Sequence, residues 1–191
     1  MTKEELIAEI TATTKVPAHK AEAMVGAIAA EIVDAMVLEY FVYLDGLGIF
    51  WAKLENERSA QNPRTGEEMV LPAKKWPTFT SGEPSDHARK AAIKLLTNED
   101  LSENLARKYA FEQSLAMTVI KTFVDILKRT LDSGERIVVA ELGTFDSMKF
   151  PARSLKDPDT GETHSTESKR IYTFSSAKNV KERVMGIYSK G

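Results

Sequence analysis

Two short stretches of this chain share one chemistry. They are Asn62-Pro63-Arg64-Thr65-Gly66 and Asp157-Pro158-Asp159-Thr160-Gly161. Proline presets φ and glycine supplies a positive φ, so Pro-x-Thr-Gly is turn chemistry in its own right. Around each turn stand cations: Arg58, Lys74 and Lys75 in the first copy, Arg153, Lys156, Lys169 and Arg170 in the second. They could be ordinary solubilisers of a strand, but cations recurring at one place in two copies suit an anionic partner better. Other chemistry is thinly represented. There is no cysteine, which excludes disulfides, thiolate metal sites and a cysteine nucleophile. His19, His87 and His164 lie apart with no ligand spacing, so no metal site is expected. No nucleophile–base pair or glycine-rich phosphate loop is present, and neither an enzyme nor a cofactor is expected.

The composition is that of a globular protein, with 42% apolar and 28% charged residues in a chain of 191. No apolar run is long enough to span a bilayer and no signal-like segment opens the chain, so the reading is soluble, intracellular and without a membrane partner. The formal net charge is −2. Taken whole, that figure argues against nucleic acid, whose partners usually carry a basic footprint.

The chain is written twice. Leu47-Gly48-Ile49-Phe50 meets Leu142-Gly143-Thr144-Phe145 at an offset of 95, and the two Pro-x-Thr-Gly turns keep that offset. So do Lys74-Lys75 with Lys169-Arg170, Thr78-Phe79 with Thr173-Phe174, and Glu4-Glu5-Leu6 with Glu99-Asp100-Leu101. Two domains follow, 1–96 and 97–191. They differ in charge: 11 Lys/Arg against 14 Asp/Glu in the first, 15 against 14 in the second.

The same elements must position the turn in each unit. Thr2 with Glu5, and Thr97 with Asp100, read as helix starts. Pro17 suits the first turn of a second helix, and Ala21, Met24, Val25, Ile28, Ile32 and Met36 follow at helical spacing. Leu115, Val119, Ile120, Phe123, Leu127 and Leu131 repeat that stripe. Phe41 to Leu44 and Ile137 to Val139 read as strands, with second strands over Phe50 to Leu54 and Phe145 to Phe150. Polar segments around each Pro-x-Thr-Gly then predict a projecting β-arm. A strand through Phe79 or Phe174 and a last helix, Ser85 to Leu96 or Lys178 to Tyr188, close each unit. The expected class is α+β, with two helices, a three-stranded antiparallel sheet bearing the arm, and a terminal helix, twice over. Phe50, Phe79, Phe145 and Phe174 are expected in the core, and Trp51 and Trp76 as packing residues at the base of the first arm. No Gly/Ser-rich linker separates the units.

This ordered set resembles a subunit of the HU/IHF family of bacterial histone-like DNA-bending proteins. The residues that carry the resemblance are Gly46-Leu47-Gly48-Ile49-Phe50, Arg58, Asn62-Pro63-Arg64-Thr65-Gly66 and Phe79-Thr80-Ser81-Gly82. Their second-unit counterparts are Leu142-Gly143-Thr144-Phe145, Arg153, Asp157-Pro158-Asp159-Thr160-Gly161 and Phe174-Ser175-Ser176. The resemblance implies intertwined units whose two arms wrap duplex DNA, with Pro63 and Pro158 wedged into the minor groove. It implies Arg58, Asn62, Arg64, Lys74, Lys75, Arg153, Lys156, Lys169 and Arg170 as arm contacts. Lys178, on the most basic helix, is a further candidate for phosphate. It also implies a cytoplasmic, nucleoid-associated protein that bends DNA with low sequence specificity.

The sequence departs from the family where it matters. From Glu55 to Lys75, and again from Phe150 to Arg170, four bases face four acids. Asp157 and Asp159 flank Pro158, where like charge opposes phosphate. Gln61 replaces the arginine usual before Asn-Pro. The expected function is therefore an architectural DNA-binding protein made as a single-chain pseudodimer, its units pairing within the chain or between chains. The alternative is a non-catalytic protein-interaction module on the same fold with weak or lost DNA binding.

Overall fold

The computed structural model describes residues 1–84, 94–156 and 163–186. Helix α1 (Lys3–Thr14) starts at Thr2, whose hydroxyl accepts from the Glu5 N–H at 3.3 Å while the Glu5 carboxylate accepts from the Thr2 N–H at 2.7 Å. Helix α3 (Asn98–Tyr109) opens with the same reciprocal pair between Thr97 and Asp100. Two otherwise unpaired donors are satisfied in each case, which fixes where the helix begins. The long helices α2 (Ala18–Val37) and α4 (Gln113–Ser133) bury the apolar stripes read from their spacing. Pro17 stands just before α2, at its cap, and lends its carbonyl to the Lys20 and Ala21 N–H groups.

In the first half, β1 (Phe41–Leu44), β2 (Gly48–Glu55) and β5 (Lys74–Ser81) form an antiparallel sheet in the order β5-β2-β1. Between β2 and β5 the chain runs out into a hairpin of β3 (Arg58–Gln61) and β4 (Glu68–Leu71). The second half repeats this with β7 (Ile137–Val139), β8 (Gly143–Phe150) and β11 (Lys169–Ser176). Its hairpin is β9 (Arg153–Lys156) and β10 (Thr163–Thr166). Even the registers keep the offset: Phe50 sits opposite Phe79 and Phe145 opposite Phe174. Among the described residues the last element is α5 (Lys178–Met185). Gly186 caps it, and the rest of the expected extension, to Tyr188, lies outside the described residues.

The Leu-Gly-x-Phe motif has a steric cause. A Cβ on Gly48 would lie 2.4 Å from the Thr80 carbonyl and 2.6 Å from the Phe79 ring. On Gly143 it would lie 2.3 Å from the Ser175 carbonyl and 2.7 Å from the Phe174 ring. The third strand packs directly on each glycine, so no side chain fits there.

One expectation is corrected at the junction. Helix was expected from Ser85 to Leu96. Residues 85–93 lie outside the described set, and Leu95–Leu96 is a short strand, β6, parallel to Phe41–Val42. The Phe41 N–H donates to the Lys94 carbonyl at 2.9 Å, and the extended backbone that caps α3 at Thr97 continues this run. The first sheet thus gains a fourth strand. In the second, Met1 lies at the corresponding edge, its carbonyl accepting from the Val138 N–H at 3.4 Å.

A continuous apolar cluster takes in residues of both halves. Leu6, Ile10, Ile28, Ile32 and Met36 share it with Leu101, Ile120, Phe123, Leu127 and Val184. At its centre Phe50 and Phe145 are fully buried, 5.9 Å apart edge to face, and Phe79 and Phe174 pack against them. Burying each of the two inner rings contributes roughly 1.5–3 kcal/mol, and edge-to-face pairing adds to it.

Candidate nucleic-acid interface

The first arm ends in a turn that its own sequence builds. The Asn62 side-chain oxygen accepts from the Arg64 N–H at 2.9 Å, and the Asn62 carbonyl accepts from the Gly66 N–H at 2.8 Å. Gly66 takes φ +74°, and the Thr65 hydroxyl donates to the Glu67 carboxylate at 3.2 Å. These bonds are local, so the tip holds its shape without a core beneath it. Pro63 and Arg64 are exposed at the apex, and Asn62, half-buried, serves as the turn's brace. Pro158, expected at the second tip, falls within residues 157–162, which lie outside the described set.

The cations divide. Arg58 on β3 and Lys169 on β11 are exposed, and Lys74 is half-buried. Arg153 and Lys156 are placed by backbone register alone, paired with Thr166 and Thr163 across the second arm. Lys178 is largely exposed at the start of α5, with Glu182 one turn on at 3.7 Å. Lys75 and Arg170, expected as arm contacts, bond within the fold. Lys75 is 3% exposed and its ammonium bonds the Glu39 carboxylate just past the end of α2. The lysine holds the Glu39 carboxyl below its ordinary range. Arg170 donates to the Ser147 hydroxyl at 2.9 Å, which donates in turn to the Leu131 carbonyl in the last turn of α4 at 2.6 Å. Both cations sit where a helix C-terminus favours positive charge, and both serve the fold.

Other residues settle into packing. Trp51 stacks on Phe41 with centroids 5.8 Å apart, and Trp76 donates to Glu55 at 3.0 Å. At the same cross-strand place the second unit has an ion pair. Arg136 meets Asp146 at 2.9 Å, and this bond holds the Asp146 carboxyl below its ordinary range. His19 is exposed, and no group of His, Asp or Glu among the described residues has metal-holding geometry. No helix among the described residues is long and apolar enough to cross a membrane.

Not expected from the sequence are the apolar side chains that the arms and their roots leave in solvent: Leu54, Met69, Val70, Met148 and Phe150. The available signal was their position on strands that project beyond any facing layer. They give the arms an apolar surface beside the cationic one, as minor-groove binders commonly have.

The sequence profile of a family described as bacterial DNA-binding protein matches this chain twice, at residues 1–88 and 96–185. Integration host factor subunit alpha of Vibrio vulnificus is 32% identical over 89 residues, 47% of this chain and 94% of that protein. The same subunit from Mannheimia haemolytica is 28% identical over 89 residues, 47% of this chain and 90% of that one. A solved structure of Anabaena HU cocrystallised with DNA is 24% identical and covers 46% of this chain and 95% of its own, with a TM-score of 0.39.

Proposed function

The chain belongs to the bacterial DNA-binding protein family of HU and integration host factor, and from that premise we propose that it is a single-chain architectural protein that bends duplex DNA through the minor groove. The family is one of DNA-binding proteins and not of enzymes. The observation that carries the reading is Pro63, exposed at the apex of a self-braced turn on a projecting hairpin. A proline tip is rigid, apolar and has no N–H to satisfy. Inserted at a base step it unstacks the pair at a cost of roughly a few kcal/mol and kinks the duplex. Phosphate contacts from Arg58, Arg64, Lys74, Arg153, Lys156, Lys169 and Lys178 offset that cost. Shape and deformability, more than base edges, then select the site, so sequence preference is weak and the protein works in the nucleoid.

The two units act as a pseudodimer. The apolar cluster they share, and the four phenylalanines drawn equally from both, support pairing inside one chain. Light scattering tests it: a mass near 21.2 kDa fits, and one near twice that value sinks the monomeric version. A second reading, a protein-interaction module with weak or lost DNA binding, is favoured by the charge-balanced arms and by the commitment of Lys75 and Arg170 to the fold. One titration separates the two. Binding to nicked or pre-bent duplex across salt concentrations is expected to give a log–log slope of about −4 to −6, for four to seven phosphate contacts. No binding at low salt hands the case to the second reading.

A further inference from the structure

Among the described residues three ion pairs join the halves, and their signs run one way. Glu31 on α2 bonds Lys108 on α3 at 2.7 Å. Asp34 on α2 bonds Arg183 on α5, and Glu9 on α1 bonds Arg129 on α4. All three acids belong to the first unit and all three cations to the second. Glu31 is 3% exposed, so its carboxylate depends on its cation.

A symmetric pair of units would show each contact twice. This chain shows each once. At the offset of 95, the mates of Glu31 and Lys108 are Ile126 and Thr13. Those of Glu9 and Arg129 are Asn104 and Asp34, and those of Asp34 and Arg183 are Arg129 and Ala88. The mates carry no complementary charge. Two first units would set Asp34 against Glu9 on both sides and leave Glu31 buried opposite Thr13. Two second units would set Arg183 against Arg129 on both sides and point Lys108 at Ile126. Unpaired buried charge and juxtaposed like charge both disfavour a partner.

We propose that these three pairs form a one-way lock, by which the helical face of the first unit accepts the face of the second and rejects a second copy of itself. The inference rests on the paired-unit reading above but concerns which faces pair, not whether they do so in one chain. It also gives the opposite charges of the two halves a use: the surplus acid of one meets the surplus base of the other.

The test uses the full chain. Glu9→Lys sets ammonium against Arg129 and is expected to lower Tm by roughly 2–4 °C, the scale of a surface pair in a chain of this size. Arg129→Glu is expected to do the same, and the double exchange to restore most of the loss. A second cycle at Asp34→Arg and Arg183→Asp is expected to behave alike. Like-with-like pairing reverses the first sign, because a lysine at position 9 then faces Asp34 and raises Tm. That rise, or additive losses with no rescue in the double variants, overturns the lock. Light scattering on the same samples separates the two readings. Rescue with a mass near twice 21.2 kDa leaves the lock standing and removes the monomeric pseudodimer, and a mass near 21.2 kDa without rescue does the reverse.

Discussion

Lys75 and Arg170 occupy one position in the repeat, and their neighbours Lys74 and Lys169 occupy the one before, yet the two pairs split by role. The split follows strand alternation: adjacent residues on β5 or β11 point to opposite faces. Lys75 turns inward to Glu39 at the end of α2, and Lys74 lies on the other face. Lys75→Met is therefore expected to lower Tm by a few degrees and leave the salt slope of DNA binding unchanged. Lys74→Ala is expected to leave Tm nearly unchanged and flatten that slope by about one unit. Swapped outcomes would refute the assignment. The acid response carries the same information. Glu39 and Asp146 are both held below their ordinary carboxyl values, by Lys75 and Arg136 respectively. A depressed folded pKa gives stability that is present above the unfolded value and lost as pH falls through the folded one. Tm is expected to be level from about pH 7 to pH 5 and to fall below about pH 4. The Lys75→Met variant should show a shallower fall in a thermal-melt series.

At the scale of elements, most of the fold was legible because local causes decide it. Thr2 and Thr97 announce their helices through reciprocal bonds within one turn, and the stripes on α2 and α4 are apolar at helical spacing. The arm turn is legible for the same reason: Asn62, Thr65 and Gly66 build it among themselves. Leu95–Leu96 was not legible, because its strand exists only through the open edge of β1, far away in sequence. The burial of Lys75 was hidden likewise, since it depends on where α2 ends in space. The ion-pair lock was the least visible, being made of charges 77, 120 and 149 residues apart. Gly48 and Gly143 stand between these cases. Their motif was plain, but its reason is the third strand lying against them. Gly48→Ala, and independently Gly143→Ala, are expected to cost at least about 2 kcal/mol, because the clash is with backbone that cannot yield. Chemical denaturation measures this, and an unchanged midpoint in either variant would show that β5 or β11 can retreat.

For the whole molecule, the fused repeat permits something that two identical subunits cannot have: arms that differ. The first carries Pro63 beside Arg64, and the second carries Pro158 between Asp157 and Asp159. Identical subunits would place two equal wedges on DNA and kink it symmetrically. In the proposed complex Asp157 and Asp159 would face phosphates, and like charge would work against insertion of Pro158. Under the proposed one-way pairing each arm keeps its side, so the inequality would be carried into the complex and not averaged between two pairings. Each inserted wedge kinks the duplex by about 20–90°. Pro63→Ala is therefore expected to reduce the bend, read by FRET between dyes at the ends of a short duplex, more than Pro158→Ala does. Pro63→Ala should melt within about 1 °C of the parent, since that exposed tip lies outside the core. Asp157→Asn with Asp159→Asn should increase the bend and steepen the salt dependence of binding, and Pro158→Ala added to that pair should then cost as much bending as Pro63→Ala. Equal losses from the two single proline variants would mean that the tips insert alike and that the acids beside Pro158 turn away from the phosphates. An enlarged bend in the double asparagine variant would locate the molecule's asymmetry in two side chains at one arm tip.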